Sequence, residues 1–423
     1  MLDCPKIFPK ILGIAVFLTI LGQYTFATEM LTDYQSYHRV GRSVIFTTST
    51  GQELRLTPYG NYIVRAQFIR RGERFLPDDY YEMVQSHNWP GAFRISDEKT
   101  FFRVESQASG SVILEISKRP LRISFYGGGK QRPLLTESAG CVWEGSKITE
   151  KFLFDDLEHF TGLGHSYFGR AERLDLKGQV AERNYGSAHG DQSPLIVPFY
   201  LSSKGYGLFL NSTFPNSFNF GKDGSYQFSI DDDGFGGRMD YFFIAGPEFK
   251  QILNRYTQLT GRPRLPPLAM FGLALSDKAN DENSPDPSDE NWWKRKVLAH
   301  WNAGFPLDHL INDNRWRAGG GKRCESYFDW DRTRFGDPAE YERWIKAQGL
   351  VLTIDFNRCI AQRSEGYTPS FNIPVTDGIE FGQSTPDFTR KGRTIICTAN
   401  GLWPSAVLRR SGSRMAWESR AGP

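Results

Sequence analysis

The chain has 423 residues, 51 of them Lys or Arg and 48 Asp or Glu, for a formal net charge of +3. That balance excludes a dedicated nucleic-acid binder driven by phosphate neutralisation; with 39% hydrophobic, 14% aromatic and 23% charged residues, the composition also excludes a disordered chain. The length leaves room for two to three domains of about 150 residues each, and 42 Gly with 23 Pro imply many turns.

At the N-terminus, Lys6 and Lys10 precede an apolar run over 11–21 that is too short to span a bilayer, and Thr25-Phe26-Ala27 supplies small residues where a signal peptidase needs them. Residues 1–27 therefore read as a cleavable secretory signal, giving a secreted or periplasmic product with no stable membrane span after cleavage. The alternative is a short membrane anchor or a buried first helix. Cys4 falls in this segment. The other four cysteines, Cys141, Cys324, Cys359 and Cys397, have no C-x-x-C spacing, which argues against a zinc site and a disulfide scaffold. Cys324 with Cys359 is the pair to test for a bridge. The seven His show no H-E-x-x-H pattern and no G-x-S-x-G elbow occurs, so neither a metal enzyme, a Ser-His-Asp hydrolase nor a cofactor is indicated.

From residue 43 to 125, short runs alternate apolar and polar positions: 44–46, 54–56, 63–68, 112–116 and 121–125. Turn formers such as Thr50-Gly51 and Gly127-Gly128-Gly129 separate them, which predicts an antiparallel β-sandwich. The glycine triplet lacks the strand-to-helix setting and following Lys-Ser/Thr of a phosphate loop and reads as a hairpin turn. Further strands are predicted near 196–201, 206–211 and 226–230. Asp231-Asp232-Asp233-Gly234 lacks the ligand alternation and terminal Glu of a calcium loop and reads as a solvated hairpin tip. After Gly246-Pro247, the residues Phe249, Ile252, Leu253, Tyr256 and Leu259 fall at helical spacing, and Gly261 follows.

The periodicity then changes. The run 268–275 suits a strand buried on both faces, and a helix is expected from Ser288, with Asp289 and Glu290 in its first turn, to Gly304. A second buried strand is expected over 307–311, a helix opened by Asp337-Pro338 with Tyr341, Trp344 and Ile345 on one face, and a third strand over 350–355. Alternating strands and helices predict a parallel α/β architecture, here the opening of a (β/α)8 barrel.

The block Asp240-Tyr241-Phe242-Phe243-Ile244-Ala245-Gly246-Pro247, the tract from Tyr256-Thr257-Gln258 through Gly261-Arg262-Pro263-Arg264-Leu265-Pro266-Pro267, and Gly162-Leu163-Gly164 resemble glycoside hydrolase family 31, which includes α-glucosidases and α-xylosidases. The resemblance implies an N-terminal galactose-mutarotase-like β-sandwich joined to a catalytic (β/α)8 barrel that cleaves α-glycosidic bonds with retention. The expected layout is a signal peptide over 1–27, the sandwich over 28–265 and the first part of the barrel over 266–390.

Barrel enzymes place their chemistry at the C-terminal ends of the strands, here Ser276 and Asp277, then Asp313 and Trp316, then Asp355 and Asn357. The resemblance implies that Asp313 binds hydroxyls of the sugar in the cleavage subsite, with Asp355 at a comparable rim position one strand on. A carboxylate suits this by accepting two hydroxyl hydrogen bonds; a helix-capping or loop-stabilising aspartate is the alternative. Trp330 resembles the family aromatic after the second strand, and its flat face could stack on a pyranose or pack beneath a long loop. Asn184 and His189 lie in a sandwich loop that lines the site in this family, although Asn184-Tyr185-Gly186 departs from the usual Asn followed by Asp.

Retaining hydrolysis needs two carboxyls about 5–5.5 Å apart, which the resemblance places beyond the third strand. It runs as far as Thr385-Pro386-Asp387-Phe388-Thr389-Arg390. The segment 391–423 carries six Lys or Arg against one acid, Glu418, and has no apolar run ending in Asp. The expectation is a truncated or frame-shifted reading frame with a non-native tail, lacking nucleophile and acid/base; a basic tail for anionic surfaces is the rival. The functional expectation is the N-terminal portion of an exported retaining α-glycosidase acting on a carbohydrate. The alternative is a noncatalytic carbohydrate-binding sandwich.

Overall fold

The computed structural model describes residues 28–106, 111–129, 131–165, 174–183, 195–232, 234, 236–277, 286–316 and 330–354. The expected signal segment 1–27, Asn184, His189, Cys324, Asp355, Asn357, Cys359 and the basic segment 391–423 lie outside the described residues.

The period-2 segments pair as two antiparallel sheets. One has eight strands in the order Phe160–His165, Leu195–Ser202, Tyr206–Leu210, Met239–Ala245, Ile63–Ile69, Glu53–Tyr59, Ser43–Thr48 and Tyr34–Val40. The ten-stranded sheet runs Val180–Arg183, Asn216–Phe220, Tyr226–Asp231, Lys147–Phe152, Leu135–Glu144, Leu121–Tyr126, Ile113–Lys118, Phe101–Ser106 and Phe93–Asp97, with Glu29–Met30 paired to Leu135–Glu144. Alternate residues meet in one core: Val44, Phe46, Leu54, Leu56, Val64 and Phe68 from the first sheet face Leu114, Ile116, Ile123, Phe125, Ile148 and Phe228 from the second. Aromatic rings dominate this layer, as where Phe125 stacks on Phe243 at 4.4 Å between centroids. The glycine triplet lies in the connection between two antiparallel strands, with Leu135 opposite Phe125.

Two glycine positions show why the resembling motifs have their form. At Gly162 the strand shifts register between Gly162 and Gly164. Here φ is +136°, and a Cβ would lie 2.6 Å from the Phe199 carbonyl oxygen and 2.7 Å from Tyr200 Cα. Only glycine fits that approach; the turn it permits drops Leu163 fully into the core. At Gly207 a Cβ would meet Ile252 Cγ2 at 2.7 Å, so this glycine lets helix α1 (Phe249–Thr260) lie against the sheet.

Helix α1 buries Ile252 and Leu259 on the outer face of the eight-stranded sheet, and Tyr256 stacks on Phe199 at 3.9 Å. Met239–Ala245 is consequently covered on both faces. Met239, Tyr241 and Phe243 point into the inter-sheet core, whereas Phe242 and Ile244 point under α1. Asp240 shares that second face.

Beyond α1 the architecture becomes parallel. Strands Ala274–Ser276, His309–Asn312 and Val351–Ile354 form a three-stranded parallel sheet, with helix α2 (Glu290–Asn302) between the first two and α3 (Pro338–Ala347) before the third. Asp289 caps α2, its side chain accepting from Trp292 N–H at 2.7 Å. Asp337 caps α3 by accepting from Ala339 and Glu340 N–H, with Pro338 in the first turn. Trp293, Val297, Leu310, Trp316, Phe335, Tyr341 and Ile345 form a separate core between sheet and helices.

Three local expectations are corrected. The run 268–275 is not one buried strand: Leu268–Phe271 is a 3-10 turn, and the strand is confined to Ala274–Ser276. Pro266-Pro267 supplies the reason, since Met270 N–H closes a turn on the Pro267 carbonyl, leaving Leu268 86% and Phe271 67% exposed. Helix α2 begins at Glu290 because Asp289 serves as its cap. Asp232 is 7% exposed, so that part of the acidic turn is buried; its carboxylate accepts from Gly234 N–H at 3.0 Å.

Candidate functional site

The parallel register sets Ala274 beside His309, Leu275 beside Leu310 and Ser276 beside Ile311, and then Ile311 beside Thr353. The C-terminal ends of the strands are thereby level, bringing Asp277 next to Asn312 and Asp313. Leu310 lies in the helix-side core and Leu275 packs against it. By period-2 alternation, Asp277 and Asn312 occupy that same side of the sheet.

Asp277 is only 2% exposed. Its Oδ1 accepts the Asp313 backbone N–H at 2.7 Å, while Oδ2 has no hydrogen-bond partner among the described residues. Burial raises the Asp277 pKa above the ordinary carboxyl value, and the nearby Asp313 charge adds to this; the Asp313 N–H and the Ser288 hydroxyl work the other way. Asn312 is fully buried and accepts the Tyr341 hydroxyl at 3.3 Å, and its Nδ2 has no partner among the described residues. Burial likewise raises the Tyr341 pKa.

Asp313 is half-buried, and its carbonyl accepts Trp316 N–H at 3.4 Å. Its carboxylate is one residue out of phase with the buried Asn312, at the mouth of the strand ends, where it can accept two sugar hydroxyls. Trp330 is half-buried and packs 5.1 Å from Trp316, 5.1 Å from Phe335 and 6.2 Å from Tyr341. Its contacts are those of a ring seated on the helix-side core. Trp316, by contrast, is almost wholly buried, so it offers no face to a ligand.

The structure thus brings Asp313, Asp277 and Trp330 into one region. Asp355 follows Ile354, the last residue of the third strand, and with Asn357, Asn184 and His189 it lies outside the described residues. Sequence reasoning passed over Asn312 and Tyr341. The available signal was an Asn ending a buried strand immediately before a candidate aspartate, a place where a buried amide needs partners. Among the described residues, no group of three or more His, Cys, Asp or Glu is arranged to hold a metal ion, and no helix is long and apolar enough to cross a membrane. The Cys141 thiol is buried in the sandwich core, and burial raises its pKa well above the ordinary value.

A sequence model of the glycosyl hydrolase 31 N-terminal galactose mutarotase-like domain matches residues 53–219. The chain is 32% identical over 210 residues to alpha-xylosidase XylQ of Lactiplantibacillus pentosus, covering 48% of this chain and 26% of that protein. It is 26% identical over 358 residues to alpha-glucosidase 2 of Bacillus thermoamyloliquefaciens, covering 79% of this chain and 42% of the relative. The family 31 dextranase of Flavobacterium johnsoniae shares the fold with a TM-score of 0.65 at 22% identity, over 77% of this chain and 38% of that one. The chain thus spans well under half the length of these relatives. Residues 53–219 therefore carry the N-terminal domain of glycoside hydrolase family 31, and the sequence likenesses beyond it support a family 31 member covered over its N-terminal part.

Proposed function

We propose that this chain is the N-terminal portion of an exported retaining α-glycosidase, and that Asp313 recognises hydroxyls of the sugar in its cleavage subsite. The observation that carries the reading is the position of Asp313: half-buried, at the C-terminal end of the second parallel strand, with its backbone held by a buried carboxylate. Asp355, Asn357 and Asn184 complete the proposed contacts, and Trp330 adds only the part of its ring that packing against Trp316, Phe335 and Tyr341 leaves exposed. The relatives' names, alpha-xylosidase and alpha-glucosidase, support an α-linked carbohydrate as substrate. Export rests on Lys6, Lys10, the apolar run 11–21 and the small residue Ala27.

In this reading the 423-residue polypeptide does not itself turn over substrate. Asp313 is assigned to sugar recognition, and the acid-poor segment 391–423, with Glu418 alone, supplies no paired carboxyls at the spacing retention requires. Purified chain incubated with nitrophenyl α-glucoside, α-xyloside and α-galactoside is expected to release no nitrophenol above a no-enzyme blank. Release that scales with protein concentration would overturn the inactive assignment.

A further inference from the structure

Asp277 is a carboxylate spent on a backbone. It is sequestered at the end of the first parallel strand with one oxygen holding Asp313 N–H at 2.7 Å and the other without a partner among the described residues. A buried acceptor of this kind is costly unless the charged oxygen is used, and a charge-assisted bond to an N–H is among the stronger ways of using it. The groups facing Asp277 are Asp313 from the neighbouring strand end, the Ser288 hydroxyl just before α2, and Tyr341 from α3, itself near Glu290. Tyr341 also donates to Asn312, the residue preceding Asp313. The peptide that presents the Asp313 side chain is therefore gripped on one side through its own N–H and on the other through the Asn312 amide.

We infer that Asp277 is a positioning residue for sugar recognition, its ionised carboxylate fixing the Asp313 peptide so that the Asp313 carboxylate faces the sugar hydroxyls. The inference rests on the proposed reading of Asp313 as a sugar-binding residue. It assigns Asp277 no contact with the sugar, because its side chain occupies the helix side of the sheet. Protonating Asp277 weakens the grip on Asp313 N–H and lowers sugar affinity without altering the Asp313 side chain itself.

The test uses the full chain labelled with 15N-aspartate, titrated from neutral to acidic pH and, separately, with free glucose and free xylose as probes. The Asp313 amide proton is expected downfield and moving upfield on acidification, with a midpoint above the ordinary aspartate value of about 3.9. Asp277→Asn removes that titration, leaving only what the Asp313 carboxyl contributes, and weakens sugar binding about tenfold, and wild-type affinity falls at the midpoint of the amide. Ser288→Ala, which deletes a hydroxyl that favours the ionised carboxylate, moves the midpoint upward and serves if Asp277→Asn does not fold. An Asp313 amide unchanged by Asp277→Asn, a midpoint unmoved by Ser288→Ala, or undiminished sugar affinity in a folded Asp277→Asn variant overturns the inference alone. A wild-type chain that shifts with neither sugar at any pH, while the Asp313 amide still titrates through Asp277, overturns the sugar-binding reading on which the inference rests.

Discussion

Asp240→Asn is expected to lower the unfolding free energy by about 3 kcal/mol, the low end of the cost of breaking a buried ion pair, because Asp78 still compensates part of the Arg65 charge. Arg65 Nε and Nη2 reach Asp240 Oδ1 and Oδ2 at 2.9 and 2.8 Å, a two-pronged contact between adjacent strands in which both residues are almost fully buried. Asn211 Nδ2 donates to Oδ2 at 2.8 Å and Gln67 Nε2 at 3.3 Å. Burial works against the Arg65 charge, but the Asp240 charge and hydrogen bonds outweigh it and hold the guanidinium pKa above its ordinary value. With Asp240 neutralised, Arg65 keeps Asp78, whose side chain is half exposed, as its anionic partner. Replacing both members, Arg65→Met with Asp240→Leu, is expected to recover most of the loss, since an apolar pair of similar volume avoids the desolvation cost. Urea unfolding of the single and double variants checks both statements, and a single-variant loss below about 1 kcal/mol, the scale of a surface pair, would refute the first.

A second large effect is expected from pH. Glu150 faces the inter-sheet core between Ile148 and Phe152 on its strand, opposite Cys141 on the next. The register shift between Glu137 and Gly140 brings the Glu137 carboxyl back toward the same place. Glu137 accepts Ile123 N–H at 2.9 Å through Oε2, whereas its Oε1 and both oxygens of Glu150 have no hydrogen-bond partner among the described residues, so burial falls on the two carboxyls almost uncompensated. Burial, then the neighbouring Glu137 charge, raises the Glu150 pKa well above normal; burial pushes Glu137 up to about 7. Arg122 and Tyr241 from the surrounding strands oppose these shifts without cancelling them.

A carboxyl whose pKa is raised on folding binds more protons folded than unfolded between the two values. Its contribution is therefore complete below the unfolded pKa of about 4.3 and is lost as pH rises through the folded value. For Glu137 the window runs from about 4.3 to about 7, with a loss on the order of 4 kcal/mol at about 1.4 kcal/mol per unit. Glu150→Gln removes the carboxyl that burial and the Glu137 charge hold protonated, so that side chain no longer gains a charge as pH rises. That variant is expected to match or trail the wild type at pH 5 and to exceed it at pH 8. Parallel stability profiles for the two proteins from pH 5 to 8 would show that the buried Glu150 carboxyl carries none of this pH dependence.

The parts of the fold that follow from local chemistry were legible in the sequence. Alternation over residues 43–68 and 112–125 required half-buried strands, Asp337-Pro338 required a helix start, and helical spacing after Pro247 required α1. Illegible parts depended on partners distant in the chain. Tyr34–Val40 is an edge strand exposed along nearly its whole length, so no apolar alternation marks it. Lys147–Phe152 places Glu150 where an apolar residue is expected, which hides its period until the bulge on the neighbouring strand turns Glu137 toward the same part of the core. The first parallel strand was overextended because apolar character alone cannot separate a strand from the exposed 3-10 turn that Pro267 starts. At the candidate site, Asp313 could be placed at a strand end, but the grip of Asp277, 36 residues earlier in the chain, and the Tyr341 to Asn312 bond needed the assembled sheet and helices.

Sugar recognition by Asp313 at the mouth of the parallel strands is the proposal on which the assigned function rests. Glucose, xylose, galactose and an N-acetylated amino sugar titrated in turn into the 15N-aspartate-labelled chain test this most directly. The proposal predicts a saturable displacement of the Asp313 signal with at least one of them, weakened about tenfold or more in Asp313→Asn through loss of a charge-assisted hydrogen bond. An Asp313 signal that stays fixed with every sugar, in a chain whose parallel strands remain folded, would contradict it.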